Sequence, residues 1–310
     1  MGVIYLLLIF GAMYFVCVEL ERACGDVAHR FKVPESIAGA TLLAIASSAP
    51  EFFTSFLGAV IHGVFDAGLI VILWSAIFNI TVIPGASALI ADEKLRVHPA
   101  VLRRDCVTYA AITLLLLGLL DDGVLTRTDA AILLGAYFLY VYVLFLMLDA
   151  DEDVEAMTQP LWRTVLGMLG GLAGIGVLCH FMIEVGSGLA TSMGVSFLVI
   201  SALVFAPGTS IPDLLLSVFA ARRGQGSASV ANAFGSNSFD LTVCLAAPIL
   251  VVGDVPVDTS GTVRASIWML LGTVGLAMLF VRTGYALEKW EGGVLLALFV
   301  LLAGLLAVLT

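Results

Sequence analysis

Two short stretches set a carboxylate beside hydroxyls and a proline within predominantly apolar sequence. The first is Ala44-Ile45-Ala46-Ser47-Ser48-Ala49-Pro50-Glu51, and the second is Ala206-Pro207-Gly208-Thr209-Ser210-Ile211-Pro212-Asp213. Proline has no amide hydrogen, so Pro50 and Pro212 deprive the carbonyls of Ala46 and Gly208 of their helical partners. An unmet carbonyl in hydrocarbon costs several kcal/mol unless water, protein or an ion satisfies it. A helix that stops there ends on carbonyl oxygens with a partial negative charge, which suits a cation. An acid at the centre of a membrane helix costs about 2.5–3.5 kcal/mol on insertion scales, so Glu51 and Asp213 require a purpose.

Each stretch has a polar companion one apolar segment later. Ser75 and Asn79 follow the first, and Ser236 and Asp240, a third carboxylate, follow the second. The candidate ligands are therefore Ser47, Ser48, Glu51, Ser75, Asn79, Thr209, Ser210, Asp213, Ser236 and Asp240, with backbone carbonyls near Ala44 and Ala206. Every ligand atom is oxygen. Soft and borderline metals are disfavoured, whereas Ca²⁺ or Na⁺ fits, and six to eight oxygens suit Ca²⁺ better than Mg²⁺. His62 lies in a loop, with Cys179 and His180 near a helix end. Three ionised carboxylates exceed the charge of one Ca²⁺, and the remainder is matched by a proton or by a monovalent cation. A capping box, Ser48-x-x-Glu51 and Ser210-x-x-Asp213, would restart a helix after each proline, but capping requires no charge and leaves Asn79 and Asp240 unused.

The elements that position these residues are membrane spans. Of the 310 residues, 61% are hydrophobic and 12% charged, about half the charged share of a soluble domain. The apolar runs approach the ~20 residues that a spanning helix needs. Ten spans are expected, at about 2–18, 36–60, 67–91, 104–121, 127–148, 162–183, 188–220, 227–252, 262–282 and 291–309. The first run lacks preceding basic residues and a following small-residue cleavage site, so it reads as a span rather than a cleaved leader. Lys and Arg in alternate loops number twelve against two, which puts both termini outside a cell membrane. The five cysteines are scattered without disulfide or metal spacing. A net charge of −10 argues against nucleic acid, and nothing implies a protein partner.

The two stretches align at an offset of 162, matching Ala44 with Ala206, Ser48 with Ser210, Pro50 with Pro212, Glu51 with Asp213 and Ser55 with Ser217. Ser75 to Asn79 aligns with Ser236 to Asp240 at an offset of 161. The fold expected is thus all-α and polytopic, in two halves, 1–148 and 162–310, with broken helices two and seven. The acidic run Asp149-Ala150-Asp151-Glu152-Asp153 opens a linker, 149–161. Five spans per half force the second half to be inverted. Inverted halves with matching helix breaks mark secondary transporters with a midplane site.

The segments 39–91 and 201–250 carry motifs that resemble the alpha repeats of sodium/calcium exchangers in the calcium/cation antiporter superfamily. These are Gly39-Ala40-Thr41 with Ser47-Ser48-Ala49-Pro50-Glu51 and Ser75-Ala76-Ile77-Phe78-Asn79, and Gly208-Thr209-Ser210-Ile211-Pro212-Asp213 with Gly235-Ser236-Asn237-Ser238-Phe239-Asp240. The Ser-Ser-Ala-Pro-Glu form, the basic turn Ala221-Arg222-Arg223-Gly224 and the acid at Asp240 are most similar to the potassium-dependent branch. The resemblance implies antiport by alternating access, not catalysis. Glu51 and Asp213 would be shared by Ca²⁺ and Na⁺. Ser47, Ser48, Thr209, Ser210, Ser75, Asn79, Ser236 and the carbonyls of Ala44 and Ala206 would complete the sites, and Asp240 would be tied to K⁺. Spans one and six would slide as the gate. Ala46 and Trp74 replace glycines usual in the family, and Trp74 is expected to obstruct a sodium site or to face lipid.

Three other functions remain to be weighed. Proton/calcium antiport would use the same carboxylates. An intramembrane aspartyl enzyme would want two aspartates without hydroxyl-proline repeats. A channel needs no broken helix in each half.

Overall fold

The computed structural model describes residues 1–31, 39–146, 160–258 and 261–309, and is almost entirely helical. Among the described residues ten rods follow in order. They are α1 Gly2–Arg30, α2 39–60, α3 Phe65–Ile90, α4 99–119, α5 Arg127–Leu146, α6 Leu161–Met193, α7 197–222, α8 Gly226–Val252, α9 Thr262–Arg282 and α10 Lys289–Leu309. Seven are long and apolar enough to cross a membrane, and α2 and α7 are bent pairs that each pass as one span. In α4 a π-helical turn, Leu102–Cys106, carries Arg103, Arg104 and Asp105, leaving Val107–Leu119 as its apolar helix.

The apolar pattern decides which rods are central. Nearly every residue of α3 is buried, and most of α8 is too, as expected where a helix is hydrophobic all round. Helices α1 and α6 pack along one another at the periphery and leave Tyr5, Leu7, Phe15, Leu166, Val177 and other apolar side chains exposed. Small residues let α3 and α10 approach closely. A Cβ on Gly292 would stand 2.7 Å from the Gly85 carbonyl, and one on Gly85 would stand 2.9 Å from the Gly292 carbonyl.

Two short antiparallel ribbons tie loops together. Leu95–Arg96 (β1) pairs with Ala286–Leu287 (β4), which brings the α3–α4 and α9–α10 connections to one face. Lys94 reinforces this contact at 2.6 Å from Glu288. Val124–Leu125 (β2) pairs with Val255–Pro256 (β3) and joins the α4–α5 and α8–α9 connections.

Helices α1 and α6 run well past the expected ends at 18 and 183. Glu19 and Arg22, one turn apart and 2.5 Å from each other, continue α1 on its polar side. The glycines Gly186 and Gly188 do not stop α6. It ends at Gly194, whose φ of +67° suits a residue without Cβ. In consequence α7 begins at Phe197, not 188, and Cys179 and His180 sit mid-helix rather than near an end. The expected span edges 36–38 and 147–148, and the linker residues 149–159, lie outside the described residues. All five cysteines are free and buried.

Candidate functional site

Helices α2 and α7 break in the same way. Each carries a five-residue π turn, Gly39–Leu43 and Ser201–Phe205, followed by a short α turn, Ala44–Ser47 and Ala206–Thr209. Each then kinks at a serine, Ser48 with φ −87° and ψ 6°, and Ser210 with φ −85° and ψ 2°. These torsions belong to the sparsely populated bridge region. The bends are 62° in α2 and 42° in α7, and Pro50 and Pro212 occupy the first turn of the helix that resumes. Neither serine side chain caps that helix. The capping box is therefore not what holds these hydroxyls and acids in place.

The breaks meet across α3 and α8. Glu51 Oε1 accepts hydrogen bonds from Ser75 Oγ at 3.1 Å and Ser210 Oγ at 3.2 Å. Thr209 also lies beside the Glu51 carboxylate. Asp213 is met by Asn79 Nδ2 at 3.4 Å and Asn232 Nδ2 at 3.5 Å, with Ser47 and Ser236 beside it. Each acid thus sits against the hydroxyl of the other half's break, Thr209 for Glu51 and Ser47 for Asp213. Asp240, at the start of a π turn in α8, has Ser48 and Cys244 for neighbours. The carbonyls of Ala44 and Ala206 accept from the amides of Ser48 and Ser210 at 2.9 and 3.2 Å. They also accept from the hydroxyls of Ser47 and Thr209 at 3.4 and 3.1 Å. A cation at either carbonyl would share it with these donors.

The three carboxylates are at most 1% exposed. Among the described residues none of them is paired with Lys or Arg. Four buried oxygens here, Glu51 Oε2, Asp240 Oδ2, Asn79 Oδ1 and Ser48 Oγ, have no hydrogen-bond partner. Buried acceptors without donors are costly, and a hard cation is what an all-oxygen set of this kind accommodates. All twelve expected positions lie on the two breaks and the adjoining α3 and α8 segments.

The structure adds residues that sequence reasoning passed over. Asn237 accepts from Asn79 Nδ2 at 3.0 Å and donates to the Ala76 carbonyl at 3.1 Å, which pins α8 to α3. Asn232 orients Asp213 and also donates to Ser217. The spacing Asn232, Ser236, Asp240 places one polar stripe at helical period on α8, and this was the legible signal. Trp74 does not face lipid. Its fully buried indole donates to Ser266 Oγ at 2.9 Å and meets Phe299 edge-on.

Known proteins resemble this chain in sequence and in fold. The family model described as "Sodium/calcium exchanger protein" matches residues 1–146 and 163–308. Sodium/potassium/calcium exchanger 1 of Mus musculus is 36% identical over 144 residues, which is 44% of this chain and 13% of that protein. The solved structure of the sodium-calcium exchanger NCX_Mj superposes with a TM-score of 0.71 at 25% identity, covering 97% of this chain and 96% of that one. The solved H⁺/Ca²⁺ exchanger CAX gives a TM-score of 0.81 over 99% of this chain and 85% of that one. Its 15% identity speaks to the fold alone.

Proposed function

The chain belongs to the sodium/calcium exchanger protein family, whose members are membrane cation exchangers, and on that premise we propose that it exchanges Na⁺ for Ca²⁺, carrying K⁺ with the Ca²⁺. The observation that carries this reading is the group of partnerless buried oxygens where two similarly broken helices meet. Glu51 and Asp213, with Ser75, Ser210, Ser47 and Thr209, form the shared Ca²⁺ and Na⁺ site in this proposal. Asn79, Ser48, Ser236 and the carbonyls of Ala44 and Ala206 supply further oxygens.

Potassium enters through Asp240. Two carboxylates balance one Ca²⁺, and the third, buried beside them without a basic partner, calls for one more positive charge. The similarity to a sodium/potassium/calcium exchanger supports K⁺ in that role. The two halves are read as inverted repeats, and α1 with α6 as the sliding gate that alternates access from the two sides. In this proposal the face that joins the α3–α4 and α9–α10 loops, which the Lys and Arg count favours as the inner side, lies in the cytoplasm, with both termini outside the cell membrane.

The test uses vesicles loaded with Na⁺ and follows Ca²⁺ uptake while external K⁺ and pH are varied. Uptake should require the outward Na⁺ gradient and rise with K⁺. Uptake driven instead by an outward proton gradient, indifferent to Na⁺, would establish proton/calcium antiport by the same carboxylates.

A further inference from the structure

Far along α2 from its break, two imidazoles meet that the exchange site does not use. His62 follows the end of α2, in a turn fixed by the Val64 amide donating to the Gly58 carbonyl at 2.8 Å and by Gly63 at φ +66°. Its Nε2 lies 3.1 Å from Nδ1 of His180 on α6, with the rings 5.0 Å apart at a tilt of 33°. One turn further along α6, Glu184 Oε1 is 3.6 Å from the other nitrogen of His180, Nε2. The His180 and Glu184 side chains are 37% and 54% exposed, so solvent reaches the cluster.

We propose that His62 and His180 form a binding site for an imidazole-seeking transition ion such as Zn²⁺, which bridges α6 and the α2–α3 turn. Two facing ring nitrogens can share one proton or one metal ion. A tetrahedral ion with bonds of ~2.0–2.1 Å holds its ligands about 3.3 Å apart, so a separation of 3.1 Å needs only a small adjustment. Glu184 stands 3.6 Å from His180 Nε2, just beyond hydrogen-bond length, and a small approach would let it hold the proton there and leave Nδ1 bare to face the ion. This is the carboxylate–histidine–metal arrangement. Nitrogen ligands select Zn²⁺, Cu²⁺ or Ni²⁺ over Ca²⁺ and Na⁺, so this site and the oxygen-lined one would not compete for the same cations. Among the described residues no group of three or more His, Cys, Asp or Glu is positioned to hold a metal ion. The ion would therefore complete its coordination with water and exchange freely, unlike a closed structural site.

The site joins the peripheral helix α6 to the turn that leads into the central helix α3. If α1 and α6 slide as the gate, which rests on the exchanger reading above, a bound ion would restrain that motion and slow exchange even when Ca²⁺ saturates its own site.

The experiment titrates Zn²⁺ into the purified full-length protein with Ca²⁺ and Na⁺ held at fixed, saturating concentrations, using calorimetry. One Zn²⁺ per chain is expected. His62→Gln or His180→Gln should weaken binding at least tenfold, and Glu184→Gln about tenfold. Thermal unfolding of each variant without Zn²⁺ checks that it is folded. Absence of Zn²⁺ binding, or unchanged binding by the folded His62→Gln/His180→Gln double variant, would overturn the site. In vesicles, Zn²⁺ should lower the maximal rate of Ca²⁺ uptake reversibly with chelator, and the double variant should resist it. Zn²⁺ inhibition relieved by raising Ca²⁺ would place the metal at the carboxylates and overturn the restraint on the gate. Vesicles that take up no Ca²⁺ without Zn²⁺ would count against the exchanger reading, and the calorimetric result would stand or fall separately.

Discussion

The hydroxyls of Ser75 and Ser210 stand 2.6 Å apart, one from each half of the chain, and both face the same oxygen of Glu51. Residues 135 positions apart are held in contact here only if α3 lies against the break of α7. The contact is thus a local measure of whether the two halves are assembled around one site.

The first prediction follows from that sharing. A hydrogen bond to a charged group contributes about 1.5–3 kcal/mol, so Ser75→Ala or Ser210→Ala should each weaken apparent Ca²⁺ affinity roughly tenfold. Because both hydroxyls act on one oxygen, the double variant should lose less than the product of the two. Ca²⁺ dependence of vesicle uptake is the measurement, and full additivity would show that the hydroxyls act independently.

Much of this site was legible because its chemistry is anomalous in its setting. Acids, hydroxyls and prolines within apolar runs have few structural explanations, and Glu51, Asp213 and Asp240 stood out on that ground alone. The kinks were expected from Pro50 and Pro212, but the matching π turns had no comparable signal, since Gly39–Leu43 and Ser201–Phe205 read as ordinary apolar helix. The lipid-facing alternative for Trp74 fails for a related reason. Its indole is satisfied by Ser266, 192 residues away, and a tertiary hydrogen bond leaves no trace in local sequence. The lengths of α1 and α6 were underestimated because hydropathy ends where charge begins, while helical structure continues through Glu19–Arg22 and past Glu184.

Removing a carboxylate should separate function from stability. Glu51→Gln and Asp213→Asn keep side-chain shape while deleting a buried charge that has no basic partner. Such charges do not stabilise a fold when uncompensated. Both variants should lose Ca²⁺ exchange by a hundredfold or more, yet unfold at the same or a higher temperature in cation-free detergent. A variant that lost stability together with transport would mean that the acids serve packing.

Asp240→Asn tests the third charge. It removes the extra negative charge while an oxygen remains toward Ser48 and Cys244. On the K⁺ reading, Na⁺-driven Ca²⁺ uptake should persist and no longer rise with external K⁺. Loss of all uptake would make Asp240 a calcium ligand. Retained K⁺ stimulation would remove it from potassium handling.

Gly208 and Phe10 offer a test of the gate itself. Gly208 lies in the break of α7, and a Cβ there would stand 2.3–2.7 Å from the ring of Phe10 on α1. Its counterpart in α2 is Ala46, fully buried, where a methyl is already accommodated. The two halves therefore differ in how closely a neighbour approaches the break. Gly208→Ala forces the Phe10 ring aside, an overpacking cost of about 1–3 kcal/mol if the ring stays in place. The ring can swing, since Phe10 is only partly buried, so the loss of thermal stability should fall at the low end of that range. If α1 moves against α7 during exchange, the same clash recurs along its path, and the rate of Ca²⁺ uptake should fall severalfold with little change in Ca²⁺ affinity. Phe10→Ala in the Gly208→Ala background removes the obstructing ring and should restore the rate. A fall in affinity that Phe10→Ala fails to repair would place the effect in the site, through the backbone around Thr209, and not in the sliding of α1.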